Sequence, residues 1–126
     1  MLYTNVLLID DDPDDQEIFL SAVEIVSCTI LCTTISSGVV ALQKLEKKDL
    51  QPDCIFLDLN MPVMSGQEFL VEIKKRAELK HIPVIIFSTT SHSYTVEATK
   101  QLGAHDFITK PDKHDELVNL LTKFFC

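Results

Sequence analysis

The stretch Val6-Leu7-Leu8-Ile9-Asp10-Asp11-Asp12-Pro13-Asp14-Asp15 decides how the chain reads. Apolar residues without alternation run straight into acids, which suits a strand buried on both faces of a sheet. Asp12 before Pro13 then reads as the N-cap and first turn of a helix. A strand that hands over to a helix this quickly opens a βα unit, and the pattern recurs along the chain. Apolar runs lie at Asn5 to Ile9, Ile30 to Ile35, Cys54 to Leu57, Val84 to Phe87 and Asp106 to Thr109, with helix-period segments between and after them. Ile18, Phe19, Ala22 and Val23 form the first helical face, Val40, Leu42 and Leu45 the second, and Phe69, Leu70 and Ile73 the third. Leu117, Leu120, Leu121 and Phe124 form the last, and Tyr94 to Leu102 carries the weakest apolar face of the set. Ser37 and Ser65 occupy cap positions, and Gly103 follows Leu102 as a C-terminal stop. The expectation is an α/β fold in which a parallel sheet is covered by helices on both sides. It is expected to form one domain over residues 1–126, with no output domain.

Composition narrows the function classes. The chain has 126 residues, 46% hydrophobic and 24% charged, the profile of one folded domain and not of a disordered segment. No apolar run approaches the roughly 20 residues of a membrane helix. Met1 to Ile9 is too short for a secretory signal and lacks a basic start, so a cytoplasmic location without membrane attachment is expected. A net charge of -8 argues against direct nucleic-acid binding, which relies on clustered Lys and Arg. Cys28, Cys32, Cys54 and Cys126 lack metal or redox spacing, and the first three read as small core residues. His81, His92, His105 and His114 are scattered and read as solvent-facing.

In a parallel α/β sheet ligands bind beyond the carboxyl ends of the strands, so the residues that close each strand carry the information. The first strand runs into Asp10, Asp11 and Asp12, the third into Asp58, the fourth into Ser88 and Thr89, and the fifth into Lys110. Carboxylates brought within about 4 Å repel by roughly 4 kcal/mol per pair at an effective dielectric near 20, which demands a proton or a cation. All-oxygen ligation with retained waters suits magnesium, with Mn2+ as a substitute. With charge drawn off by the ion and Lys110, an Asp58 oxygen can attack phosphorus.

Four segments in order, VLLIDD at Val6 to Asp11, IFLDLNMPVMSG at Ile55 to Gly66, PVIIFST at Pro83 to Thr89 and FITKP at Phe107 to Pro111, give the chain its likeness to a known family. Over essentially its whole length it resembles the receiver domains of two-component response regulators, in particular the chemotaxis-regulator type. The resemblance implies a (βα)5 flavodoxin-like, doubly wound sheet of strand order 2-1-3-4-5. It implies Asp58 as phosphoacceptor, Asp11 as a direct metal ligand, Asp10 assisting through water, and the backbone carbonyl of Asn60 completing the protein's share of the metal shell. Ser88, Thr89 and Lys110 would hold the phosphoryl group. Ser88 and Phe107 would form the switch that alters the face of the fourth helix, fifth strand and fifth helix. Pro111 would follow a cis bond, and Asn60 and Thr90 would tune dephosphorylation. Ser88 stands where Thr is commoner in the family and Phe107 where Tyr is frequent, which excludes a phenolic hydroxyl from the switch.

The implied partners are a sensor histidine kinase, a histidine phosphotransfer protein or a downstream effector protein, and a phosphorylation-dependent second copy. A terminal output and a relay role stay open. A magnesium-dependent Asp-nucleophile phosphatase is disfavoured because Asn60 stands where such enzymes carry a second Asp. A nucleotide-binding module would want Gly, Ser and Thr amides after the first strand, where this chain has DDDPDD. That run also lacks the central Gly and distal Glu of a calcium loop. Asp12 reads as a cap, and Asp14 and Asp15 as first-turn acids favoured by the helix dipole.

Overall fold

The computed structural model describes residues 3–26 and 29–125. Within them five strands alternate with five helices: β1 (Asn5–Ile9), α1 (Pro13–Val26), β2 (Leu31–Ile35), α2 (Gly38–Glu46), β3 (Cys54–Leu57), α3 (Gly66–Lys74), β4 (Val84–Ser88), α4 (Ser93–Gln101), β5 (Asp106–Thr109) and α5 (His114–Phe125). The strands form one parallel sheet in the order β2-β1-β3-β4-β5. The chain leaves β1 toward β2 on one side and returns to β3 on the other, so the connections diverge at the carboxyl end of β1. That divergence opens the crevice in which doubly wound sheets bind ligands.

Strand residues alternate between two cores because successive side chains point to opposite faces. Leu7, Ile9, Ile55, Leu57, Val84 and Ile86 pack with Ala41, Leu42 and Leu45 of α2 and Phe69, Leu70 and Ile73 of α3. Val6, Leu8, Cys54, Phe56, Ile85, Phe87 and Ile108 pack on the other side with Phe19, Ala22 and Val23 of α1 and Leu117, Leu121 and Phe125 of α5. Phe19 joins α1 to the sheet, its ring 5.1 Å from that of Phe56 and 5.6 Å from that of Phe87. With both faces covered, the strands have no need of a polar side, which is why they read as continuous apolar runs.

The helix starts follow the capping chemistry. Asp12 Oδ1 accepts the Asp14 N–H at 2.9 Å, Ser37 caps α2, and Ser65 and Glu68 cap α3 reciprocally. Gly103 takes φ +103 just after α4, a backbone conformation that costs glycine little. Some faces differ from expectation by a position or so. Ile18 and Val40 are exposed, Ala41 is fully buried in place of Val40, and Phe125 is more deeply buried than Phe124. β2 begins at Leu31 instead of Ile30, and β4 runs on to Ser88. Helix α4 is present although Thr99 is its one buried residue. Cys54 is buried and Cys32 half-buried, and burial pushes both thiols up to about 12, so they stay protonated. Cys28 and Cys126 lie outside the described residues. All four histidines are exposed, and no helix among the described residues is long and apolar enough to cross a membrane.

Candidate functional site

Parallel register brings the strand ends together. Ile9 pairs with Leu57 and Ser88 with Thr109, so Asp10 and Asp58 leave neighbouring strands at one level, and Lys110 leaves β5 beside the end of β4. Backbone bonds fix each exit: Asp58 N–H to Ile9 O at 2.9 Å, Asp10 N–H to Ile35 O at 3.1 Å, and Lys110 N–H to Ser88 O at 2.7 Å. Positions set by the ladder of a sheet are stiffer than positions on a free loop.

Oxygens of Asp10, Asp11 and Asp58 lie within 4.8 Å of one another. Asp10 is fully buried and Asp58 nearly so, while Asp11 reaches solvent. Asp10 is already engaged, its Oδ1 accepting the Asp12 N–H at 3.0 Å and its Oδ2 the Lys110 ammonium at 2.9 Å. That leaves Asp11 and Asp58 with the freer oxygens. Burial pushes the Asp58 carboxyl up to about 6; the Lys110 ammonium opposes the rise, and the charges of Asp10 and Asp11 add to it. Burial likewise raises Asp10, against the pull of the Asp12 N–H and Lys110. Burial also works against the charged form of Lys110, but hydrogen bonds to Asp15 and Asp10 outweigh it and hold the ammonium well above its ordinary value.

This donor set is hard, all oxygen and short of positive charge, which fits a divalent cation of the magnesium or manganese kind. Asp10, Asp11 and Asp58 are the side chains that would hold it. Asn60 lies exposed in the loop after β3, two positions past Asp58.

The remaining residues singled out in the sequence surround this cluster unequally. Ser88 is fully buried at the end of β4, its hydroxyl accepting the Thr90 N–H at 3.3 Å, while Thr89 is exposed. Phe107 is half-buried and lines a cavity of about 360 Å³ with Val96, Thr99, Lys100 and Ala104. The bond before Pro111 is trans, contrary to the cis expectation, since no described peptide bond is cis. Trans is the intrinsic preference of an X–Pro bond by about 0.5–1 kcal/mol, and Lys110 reaches Asp10 and Asp15 with the bond in that form.

Two features escaped the sequence reading. Asp15 is more than a dipole acid, since its Oδ2 lies 2.8 Å from Lys110 Nζ, closer than the 3.6 Å from that nitrogen to Asp58 Oδ1. Its signal was position: a helical side chain tilts toward the N-terminus, so an acid three residues past the cap leans back over the strand ends. Gln16 ties the loops together, its amide donating to Asp10 O and to Ser36 Oγ at 3.0 Å. Nothing in the pattern marked it. Gly66, by contrast, carries a clear requirement. A Cβ there would meet Asp58 O at 2.3 Å and Leu59 Cα at 2.7 Å, so only glycine lets α3 start against the backbone of Asp58.

Comparison with known proteins agrees with this geometry. The family model of the response regulator receiver domain matches residues 6–122. The probable C4-dicarboxylate response regulator DctR of Bacillus subtilis is 34% identical over 119 residues, covering 94% of this chain and 51% of that protein. A protein-glutamate methylesterase/protein-glutamine glutaminase of Treponema denticola is 40% identical over 120 residues, covering 93% of this chain and 31% of the relative. The chain thus spans about half or less of these curated relatives. Among solved structures, the Mn(2+)-bound form of the response regulator Rcp1 superposes with a TM-score of 0.83 at 26% identity, covering 95% of this chain and 90% of the other. The phosphorylated cyanobacterial phytochrome response regulator RcpA gives 0.87 at 27% identity, with 96% and 90% covered. The chemotaxis response regulator CheY4 of Vibrio cholerae gives 0.82 at 25% identity, with 97% and 98% covered. With its strand order, its acid cluster at the switch point and a family match across nearly its whole length, the chain belongs to the response regulator receiver domains.

Proposed function

We propose that this domain accepts a phosphoryl group on Asp58 from the phosphohistidine of a sensor histidine kinase, in a Mg2+-dependent reaction, and signals through partner proteins. The observation that carries the reading is the gathering of Asp10, Asp11 and Asp58 oxygens within 4.8 Å, with the Lys110 ammonium 3.6 Å from Asp58. A carboxylate oxygen of Asp58 attacks phosphorus, the P–N bond to the donor imidazole breaks, and its electron pair returns to that nitrogen. The bound cation supplies charge neutralisation for the transferring group. Lys110 offers an N–H to a second phosphoryl oxygen, and Ser88, whose oxygen accepts the Thr90 N–H while its own O–H remains a donor, offers that O–H to a third. Thr89 lines the approach, and Asn60 and Thr90 flank it and govern water access, hence the lifetime of the adduct.

The partner-binding face in this reading is α4, β5 and α5, with Phe107 as its moving part. An open cavity beside Phe107 gives the ring room to turn, and a local charge gain at Asp58 biases the two arrangements. Incubation with a small acyl phosphate and magnesium is expected to add one phosphoryl group by intact mass. Asp58→Asn is expected to take none, and an adduct retained in that variant overturns the site. For the switch, amide spectra with and without a phosphoryl mimic should differ along α4 and β5; unchanged spectra there defeat it.

A further inference from the structure

We infer that Asp15 is a positioning residue for Lys110, holding the ammonium back from Asp58 so that the phosphoacceptor stays open to cation and phosphorus. The inference rests on the reading of Asp58 as phosphoacceptor. A lysine ammonium has three N–H donors. Asp10 Oδ2 takes one at 2.9 Å and Asp15 Oδ2 another at 2.8 Å, while Asp58 Oδ1 at 3.6 Å is beyond hydrogen-bond reach. Lys110 is therefore parked between two carboxylates on the β1–α1 side of the crevice. Its third donor makes no hydrogen bond to a carboxylate, the ammonium otherwise lying over the Phe87 ring at 5.7 Å, so that donor can turn to a phosphoryl oxygen.

The anchor is a rigid one. Asp15 is the third residue of α1, and its N–H faces the capping carboxylate of Asp12 at 3.5 Å, so the geometry is set by a helix end and not by a free loop. Asp14 in the same turn is exposed and suffices for the helix dipole, which leaves Asp15 for the lysine. Remove the Asp15 charge and the nearest acceptor without a cationic hydrogen bond is Asp58. An ammonium drawn onto Asp58 Oδ1 occupies an oxygen needed by the cation and repels the cation directly. Losing the Asp15 carboxylate also weakens the negative potential at the acid cluster, so both effects act in one direction.

Asp15→Asn is expected to bind Mg2+ roughly threefold more weakly by calorimetry, the scale of a partly exposed ion pair. The concentration of Mg2+ giving half-maximal phosphorylation by an acyl phosphate should rise by the same factor, with the rate at saturating Mg2+ little changed. Asp15→Glu should bring both values back toward wild type. In metal-free buffer, thermal midpoints of Asp15→Asn, Lys110→Ala and the double variant should be non-additive, the Asp15 change losing most of its effect once Lys110 is gone. Wild-type Mg2+ affinity in Asp15→Asn, or full additivity with Lys110→Ala, overturns the inference. A wild-type protein that takes no phosphoryl group on Asp58 would instead defeat the underlying reading, so the two failures are separable.

Discussion

Replacing Asp58 with Asn should make the metal-free protein more stable, although it destroys the proposed function. Burial, with the charges of Asp10 and Asp11 adding to it, raises the Asp58 carboxyl from 3.8 to about 6. At about 1.4 kcal/mol per pKa unit, the ionised carboxylate then costs about 3 kcal/mol of folding free energy above that midpoint. The sign follows from linkage. A group whose folded value exceeds its unfolded one binds protons more tightly when folded, so its contribution is most favourable below 3.8 and is lost as pH rises through about 6. Asparagine keeps the shape without the charge. Lys110 still holds Asp10 and Asp15, so no buried cation is orphaned. Allowing about 1 kcal/mol for imperfect amide hydrogen bonds, the net gain is about 2 kcal/mol, or roughly 6–10 °C in Tm for a domain of this size. Thermal unfolding by circular dichroism in chelator well above the Asp58 midpoint reads it directly. The advantage should shrink as pH falls through the Asp58 midpoint, and also when magnesium is added to the wild type, since a ligand of the folded state stabilises it. A destabilised Asp58→Asn in chelator, or an advantage indifferent to both pH and magnesium, would refute the electrostatic account.

Gly66→Ala should destabilise the fold by about 2 kcal/mol, read as a lower denaturant midpoint, because its Cβ would collide with Asp58 O and Leu59 Cα, both backbone atoms. Lys110→Ala leaves the fully buried Asp10 without its cation and should cost about 3 kcal/mol in chelator, part of which magnesium restores in the same melt. Val63→Gly should stabilise by about 0.5 kcal/mol in chemical denaturation: Val63 is 93% exposed at φ +67, so glycine removes about 1–2 kcal/mol of left-handed strain against about 0.5–1 kcal/mol of lost chain stiffness.

Most of the fold was legible because burial on both sides of a parallel sheet leaves an unmistakable trace. Val6 to Ile9 and Cys54 to Leu57 are apolar at every position, and both lie wholly inside the molecule. What periodicity could not resolve was which edge of a helical stripe faces inward. Val40 and Ala41 are neighbours of similar character, and the smaller residue is the one that fits against the sheet. In the site, the acids at strand ends were legible because the sheet's register converts sequence position into height. Asp15 was not, because its role depends on the helical tilt of α1 toward a lysine 95 positions away. Local acid chemistry offered a sufficient reason for its presence. The trans bond before Pro111 shows the opposite failure, a family expectation applied where the residues themselves carried no information.

The Lys110 ammonium lies within 3.6 Å of Asp10, Asp15 and Asp58, and Asp11, beside Asp10 and Asp58, completes a set of four carboxylates that this one cation does not balance. Two of the four are bound to Lys110 by hydrogen bonds, and the other two, Asp11 and Asp58, carry most of the unmet demand. A divalent ion drawn to that demand would stand beside Asp11 and Asp58, the two carboxylates that Lys110 does not hydrogen-bond. In the proposed reaction, phosphorylation would replace the charge of Asp58 with a larger one farther from the backbone. Lys110 is the group able to follow it, having one donor to spare and a flexible stem, whereas the strand ends are held by the sheet ladder. The proposed switch would therefore draw its sensitivity from imbalance: a site neutral at rest would give a new phosphoryl group nothing to reorganise.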